Sequence, residues 1–576
     1  MTPPTWERPP TTSCSGSSTT NWASRERRLP APRRARRGGS DVLSGDATRT
    51  DVLIVGYGPV GEVLAILLAQ RGHEVTVVER YPTPYPMPRA VAYDGEGARI
   101  LAAAGVADEL DGIRELTRDY TWNNAAGDTL LHLEPPALDR TGWPASTSMY
   151  QPGLEQVLAD RGARLPNLTV LRAHVAVDLV LDDERVLVTA RSAEGGERRI
   201  SASWVVGCDG ANSFVREHVN TTVADFGFST DWLICDVVLN EPRVFSPNNL
   251  QICDPARPRT AVSAGPGHRR WEFMRVPGET LDDLDREETV WRLLGLFDLT
   301  PENAALDRFA VYSTQARCAN RWRSGRLLLA GDAAHVMPPF IGQGMCSGFR
   351  DAANLAWKLG LVLSGHAGEA LLDSYTVERR AHVRAAIEAS ITMGRILCET
   401  DPAAAAGRDA YLLGAQRRGR PVQGPHQGLA DSLRDGFLHR NDSGVVISPA
   451  GELVPQGTVA RAAERGPFDT VVGTGFVLLL VNRPEEVLDH EDIEFLHDLG
   501  VHIVQVLPAG TPADQAGQDA VVDVDAVYLS YLAETAAAAA LVRPDFYLFG
   551  SVGAADGVSR LVRDLRRQLA APAPAR

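Results

Sequence analysis

A chain of 576 residues, 44% hydrophobic and 23% charged, has an ordinary globular composition and the length of about three or four domains. No run of roughly 18 uncharged apolar residues occurs, which excludes a membrane-spanning helix of the usual kind. The formal charge of −15 is unevenly spread: residues 1–40 hold eight Arg against Glu7 and Glu26, a local +6 that leaves −21 for the body, so nucleic acid and anionic membrane are poor default partners.

Residues 1–48 are rich in Pro, Ser, Thr and Arg, lack periodicity, and read as a disordered basic tail. No apolar leader segment follows the Arg cluster. Order starts at Asp51. The apolar run DVLIV leads into Gly56-Tyr57-Gly58-Pro59-Val60-Gly61, then a helical stretch, then EVTVV ending in Glu79-Arg80. This is a complete βαβ unit of the dinucleotide-binding kind. Gly56 permits the tight turn, Gly58 lets backbone approach a pyrophosphate, Gly61 lets helix and strand pack, and Glu79 accepts from an adenosine ribose hydroxyl. The bland alternative is a glycine-rich turn of a ligand-free α/β domain.

Two later segments point to FAD as the resident dinucleotide. Val205-Val206-Gly207-Cys208-Asp209-Gly210 is a strand ending in an Asp-Gly turn; Gly325-Arg326-Leu327-Leu328-Leu329-Ala330-Gly331-Asp332 delivers Asp332 to the carboxyl end of a buried strand, where α/β sheets bind ligands. There its carboxylate accepts from a ribityl hydroxyl. Gly342-Gln343-Gly344 then precedes the helix DAANLAWKLGLVL, so free backbone N–H groups reach the edge of a flavin ring. Between these segments, residues 225–315 alternate in short runs and predict a β-rich layer, with Trp232 and Phe273 open either to pocket lining or to core packing. No second strand-GxGxxG-helix unit exists, so NADH or NADPH must bind without its own Rossmann site. Residues 374–397 read as helix, 401–440 as linker, and 441–576 as a small α/β module. Seven cysteines without a CxxC pair, and the absence of HExxH, P-loop and GxSxG patterns, predict no metal site and a reducing, cytoplasmic setting.

Taken together, GxGxxG with Glu79, the DGANS segment, and GDAAHxxPPxxGQG running into DAANLAWKL resemble the FAD-dependent aromatic hydroxylases, the para-hydroxybenzoate and phenol hydroxylase family, over about residues 51–400. YPMPRAVAYDGE at 85–96, QICDPARP at 251–258 and RRWEFMRVPGE at 269–279 are similar to the 3-(3-hydroxyphenyl)propionate hydroxylase subgroup. Where many members carry Asn in the glycine-rich segment, this chain has Cys346.

The resemblance implies an α/β fold: a Rossmann-like FAD-binding domain of the para-hydroxybenzoate hydroxylase type in two parts (49–224 and 316–400), an inserted β-sheet substrate domain (225–315), and a C-terminal thioredoxin-like domain (441–576) without cysteines, marked by RPDFYLFG. Arg80, Arg89 and Gln151 then join the FAD contacts, Asp209 serves both FAD and the transient nicotinamide, and Gly342, Gln343, Gly344 and Met345 face the isoalloxazine. The implied chemistry uses NAD(P)H and O2 to hydroxylate a small phenolic substrate through a flavin C4a-hydroperoxide, with Baeyer-Villiger insertion, epoxidation or a non-catalytic FAD-fold protein as alternatives. Pro338 and Pro339 supply stiff apolar backbone beside the ring, and His335 is a candidate base for the phenol proton, with a loop role as the alternative. Lys358 sits in the WKL helix, away from where a halogenase lysine would stand. A homodimer stays open.

Overall fold

The computed structural model describes residues 36–37, 47–84, 89–182, 184–419, 432–513 and 516–570. The expected tail lies outside the described residues, except that Arg36–Arg37 pairs in parallel with Val180–Leu181 and that the first long strand takes in Thr48. Five short runs rich in Val, Ile and Leu form a parallel sheet, in the order Leu327–Leu329, Glu197–Gly207, Thr48–Val55, Val75–Val78, Leu168–Leu171. Aliphatic runs of this kind suit strands covered on both faces. The register sets all five carboxyl ends in one line, Leu329, Gly207, Val55, Val78 and Leu171 being successive partners. Helix Pro59–Ala69 covers this sheet and packs against Gln151–Ala163 and Gly344–Leu363. The α/β class expected from sequence is what is observed.

A second, seven-stranded sheet has the order Ala304–Ser313, Asp231–Leu239, His268–Met274, Arg259–Ser263, Leu250–Cys253, Tyr120–Asn124, Thr129–Leu133. Its last two strands come from ahead of residue 225, so the β-rich layer is wider than the expected 225–315. One face carries Leu233, Cys235, Val237, Trp271 and Phe273 against Val290, Leu293 and Leu294. Phe273 is therefore core. The alternate residues, Trp232, Ile234, Asp236, Arg270, Glu272 and Met274, point to the opposite face, which meets the parallel-sheet domain where Trp232 touches Phe340 and Arg270 donates to the Arg89 carbonyl at 2.7 Å.

The expected linker is only partly one. Pro402–Arg417 is a helix capped by Asp401, and its Leu412 packs with Trp122 and Leu130. PAAAAGRDAYLLGAQR looks low in complexity, yet alanine is the best helix former, and the sequence reading mistook that for a spacer. The C-terminal sheet has seven strands, of which Val477–Leu480, His502–Leu507 and Ala520–Asp523 are parallel neighbours, with Ala539–Val542 and Leu548–Val552 antiparallel beyond the first of them. The six described cysteines are free thiols. Among the described residues no helix is long and apolar enough to cross a membrane.

Candidate functional site

The aligned strand ends bring the sequence motifs to one edge. Gly56 N–H donates to Val78 O, Cys208 N–H to Val55 O, and Ala330 N–H to Gly207 O, at 2.8 to 3.0 Å. Each motif is thus the first residue or two past its strand. At this edge the three glycines of the first turn differ in what they do. A Cβ on Gly56 would lie 2.4 Å from Cys208 O, with φ at +102°, and one on Gly61 would lie 2.1 Å from Gly56 O. Gly58 is different: no atom of the chain lies within 4 Å of where its Cβ would be. The chain's own packing does not require glycine there.

Glu79 is almost buried, and its two oxygens accept from Tyr57 N–H at 2.7 Å and Tyr81 N–H at 2.8 Å. The carboxylate thereby fixes the loop, with lone pairs left for the ribose hydroxyl assigned from sequence. Arg80 crosses to the Asp209 carbonyl at 3.2 Å. Asp209 accepts from the Ser213 hydroxyl and from Val215 N–H, so its side chain braces the start of the helix Phe214–His218, whose cap is Ser213.

Arg89, Gln151 and Asp332, far apart in sequence, meet here. Arg89 Nη1 lies 2.8 Å from Asp332 Oδ2. Gln151 Oε1 accepts from the N–H groups of both Arg89 and Ala90 at 2.7 Å, while its Nε2 donates to Glu155. Gln151 shapes the Arg89 loop, and Arg89 guards Asp332. Replacing Asp332 by Ala is expected to lower FAD affinity by on the order of tenfold, about 1.4 kcal/mol, read as flavin lost on desalting; unchanged retention would remove Asp332 from the site.

Two assignments change. His335 is 2% exposed, with Nε2 2.6 Å from Asp351, which also accepts from Gly331 N–H and Arg379 Nε. It braces the Gly331 turn from behind and has no access to a substrate, so it leaves the catalytic set. Gln343 is 5% exposed and points inward, donating to Asp94 and accepting from Arg350 at 2.9 Å each. Only its backbone can meet a flavin. Burial alone would raise the Asp94 pKa; Arg350, at 2.6 Å, instead brings it down to about 2. Asp94, Glu96, Arg350 and Asp351 were missed by the sequence reading, although Arg350 falls seven residues after Gln343, on one face of a helix.

Pro338 is buried, with its carbonyl accepting from Ser390 Oγ at 2.7 Å, and Pro339 is exposed at the start of a short turn. Gly342 follows at φ +64° and Gly344 opens the helix; a Cβ on Gly342 would meet nothing within 4 Å, and one on Gly344 only Met337, at 3.9 Å. Met345 is half-buried beside them. Two of the helices that begin at this edge, Pro59–Ala69 and Gly344–Leu363, lack a side-chain cap. Their first amides are free for an anionic group. Open glycines at two uncapped helix starts, joined by Asp332 and Arg89, fit an extended dinucleotide with its pyrophosphate near Gly58 and its flavin edge near Gly344. Lys358 is fully buried, 2.7 Å from Glu378.

Comparison with known proteins agrees with this geometry. The FAD binding domain family matches residues 49–390, and the HcaD C-terminal domain family residues 451–568. A probable NADH-specific resorcinol 4-hydroxylase of Rhodococcus jostii (strain RHA1) is 38% identical over 535 residues, covering 91% of this chain and 96% of that one. A 3-(3-hydroxy-phenyl)propionate/3-hydroxycinnamic acid hydroxylase of Comamonas testosteroni is 32% identical over 578 residues, covering 91% and 97%. Among solved structures, aklavinone-11 hydroxylase with FAD and aklavinone superposes with a TM-score of 0.70 at 26% identity, covering 90% of this chain and 99% of that one. The flavin-dependent monooxygenase PieE shares the fold, with a TM-score of 0.73 at 21% identity over 90% and 99%.

Proposed function

This chain belongs to the FAD-dependent aromatic hydroxylases, and on that premise we propose that it hydroxylates an uncharged phenol of the resorcinol type, with NADH as reductant. Bound FAD, reduced by NADH and reacting with O2, supplies the oxygen atom. The chain's own work is to hold the cofactor, orient the ring to be hydroxylated and keep water out.

One observation carries the choice of substrate. On the sheet face that meets the cofactor domain, Arg270 and Arg308 both converge on Asp236, Arg270 through Nε at 2.7 Å and Nη2 at 3.0 Å. With Glu272, at 3.9 Å from Arg270, the four charges on this face cancel. Among the described residues of this face no cation is left over for a substrate carboxylate, whose burial without a partner would be strongly disfavoured. Phe340 and Phe228, half-buried with ring centroids 5.8 Å apart, offer an aromatic shelf beside the proline segment, backed by the buried Trp232 at 5.9 Å from Phe340. The resorcinol 4-hydroxylase, at 38% identity, supports the same reading.

The test is steady-state NADH oxidation and oxygen uptake by the FAD-loaded protein. Resorcinol should exceed 3-(3-hydroxyphenyl)propionate by about tenfold or more in kcat/KM, equal to about 1.4 kcal/mol, and NADH should exceed NADPH. Equal use of the propionate would overturn the uncharged-substrate reading.

Residues 441–576 we read as thioredoxin-like. In support, His502–Leu507, Val477–Leu480, Ala539–Val542 and Leu548–Val552 are neighbours in that order, the first pair parallel and the rest antiparallel, with His490–Asp498, Val527–Glu534 and Val558–Leu569 as helices between and after them. With Cys398 the last cysteine, such a module has no thiol chemistry. Its RPDFYLFG stretch reaches the flavin domain instead: Arg543 pairs with Glu378, Asp545 with Asn354, and Tyr547 with Glu96. Dependence on NADH suits a cytoplasmic setting.

A further inference from the structure

We propose that Glu272 is a catalytic residue of the hydroxylation: its carboxylate accepts the hydrogen bond of the substrate's phenolic hydroxyl and takes that proton when the ring is attacked. This assignment rests on the reading above that the substrate is a phenol. Strand register gives the placement. Glu272 pairs laterally with Ile234 on one side and Thr260 on the other. The next rung on the same face is Met274 with Trp232, and Trp232 packs on Phe340 of the proline segment. The rung on the other side is Arg270 with Asp236, and Arg270 holds the carbonyl of Arg89, the partner of Asp332. Residues two apart on a strand are separated by about 7 Å. Glu272 is thus bracketed, one rung each way, by residues touching two segments of the candidate FAD site, the proline segment expected beside the ring and the Arg89 loop that holds Asp332.

Its own state is unusual. The side chain is 15% exposed, and its carboxylate is hydrogen-bonded to no described residue; the Arg270 ion pair is long, at 3.9 Å. Three arms of Arg270 are engaged elsewhere, two on Asp236 and one on the Arg89 carbonyl. A half-buried carboxylate without a donor is the group an incoming O–H would satisfy. Burial also raises its pKa, partly offset by Arg270 and reinforced by Asp236, which makes it a stronger base toward a phenol.

The other titratable groups around it do not compete. Tyr312 and Tyr120 have their phenols pushed up, chiefly by burial. The thiols of Cys253 and Cys398, near those rings, are pushed up to about 12 by burial, and Cys235, on the reverse face, is raised as well. All of these stay neutral at ordinary pH. Asp236 is held low, burial being outweighed by Arg270 and Arg308. His268, on the same strand, is stacked on Tyr150 at 3.8 Å. His335 is bound to Asp351.

The proton step balances within the proposed hydroxylation. As the new C–O bond forms, the O–O bond of the oxygen donor breaks and leaves an oxide on the donor, while the substrate O–H bond breaks, its proton passes to Glu272, and the electron pair moves into the ring. When the ring regains aromaticity its C–H proton passes to that oxide, directly or through water, the C–H electron pair stays in the ring, the substrate oxygen recovers a proton from Glu272, and the carboxylate is restored.

The experiment compares wild type, Glu272→Gln and Glu272→Asp over a range of pH with resorcinol, reading kcat and KM separately and FAD content on the same samples. Wild-type kcat should fall toward acid, because protonated Glu272 accepts no proton. Glu272→Gln should lower kcat by about 10² or more and lose that acid limb; Glu272→Asp should keep the limb with an intermediate kcat. A Gln variant within about threefold of wild type, or one that keeps the acid limb, overturns the assignment. If the Gln variant does not hold FAD, the Asp variant decides: a reduced kcat with the limb retained supports the role, and wild-type kcat refutes it. Wild-type protein stimulated by no phenol overturns the substrate reading and this role with it, whereas stimulated wild type beside an indifferent Gln variant overturns this role alone.

Discussion

Gly61→Ala is expected to give a protein that fails to accumulate in folded form, whereas Gly58→Ala, three residues away, is expected to fold and lose its flavin. At Gly61 the new methyl group would sit 2.1 Å from the Gly56 carbonyl oxygen and 3.4 Å from Cys208 Cβ. The first of these is backbone in the turn itself, so nothing flexible can give way. Overpacking against a fixed backbone costs about 3 kcal/mol or more, a large share of the total stability of a domain. At Gly58 the backbone has φ −86° and ψ −176°, which alanine adopts freely, and the methyl group would meet no atom of the chain within 4 Å. Its effect on the apoprotein should be small, within about 1 kcal/mol. The methyl group would instead fill space at the uncapped start of helix Pro59–Ala69, where a pyrophosphate would approach. FAD affinity is therefore expected to drop by tenfold or more, about 1.4 kcal/mol. Soluble yield, thermal unfolding of the apoprotein and flavin titration separate the two outcomes. A Gly61→Ala protein that melts with wild type, or a Gly58→Ala protein that binds FAD normally, would contradict the division of labour drawn from the turn.

These glycines also show why part of the site was legible in the sequence. The demand on Gly61 is local, set by the Gly56 carbonyl of its own turn, and although Gly56 is pressed by Cys208 O from a neighbouring strand, its left-handed turn is local too, so spacing alone conveys them. The same holds for Asp332, delivered by the apolar strand Leu327–Leu329 to the sheet edge where ligands gather. His335 is the opposite case: whether a histidine beside a glycine turn faces a pocket or the interior depends on Asp351, sixteen residues later on the inner face of a helix, and on Arg379 from the next helix. The resemblance places Gln343 at the flavin, but Asp94 and Arg350 draw its side chain inward. Glu272 stands in a strand whose alternation was clear, yet its meaning depends on register with Ile234 and Thr260, which pairing across the sheet alone decides. The strand Ala539–Val542 was hidden for a different reason, since the run ETAAAAALVR has the composition of a helix and is held extended by neighbours on both sides.

A large loss of stability is also expected from Glu378→Gln, where the flavin domain meets the C-terminal sheet. Glu378 Oε2 accepts from Lys358 Nζ, Arg543 Nη2 and Asn354 Nδ2, each at 2.7 Å, and its Oε1 accepts from Phe437 N–H at 2.8 Å. The side chains of Glu378, Lys358 and Arg543 are wholly shielded from solvent. Removing the negative charge leaves Lys358 and Arg543 facing each other with Asp545 as the remaining anion, and breaking a buried cluster in this way costs about 3–5 kcal/mol. Acid should act in the same direction. Burial alone would raise the pKa of Glu378, but Arg543 and Lys358 outweigh it and hold the carboxyl at about 2, against 4.5 ordinarily. A carboxyl depressed by folding contributes stability that is fully present above pH 4.5 and is lost as pH falls from there toward 2. Wild-type melting temperature should therefore fall steeply over that window, and Glu378→Gln should start lower and fall less. The flavin end should register the change too. Tyr547, four residues after Arg543, donates to Glu96 at 2.9 Å; Glu96 pairs with Arg350 at 2.5 Å; and Arg350 donates to Gln343 at 2.9 Å, inside the glycine segment. Loosening the C-terminal sheet pulls on that chain of contacts, so Glu378→Gln is expected to release FAD at a lower temperature than wild type. A variant that melts and releases flavin together with wild type at neutral pH would show that the junction contributes little to either.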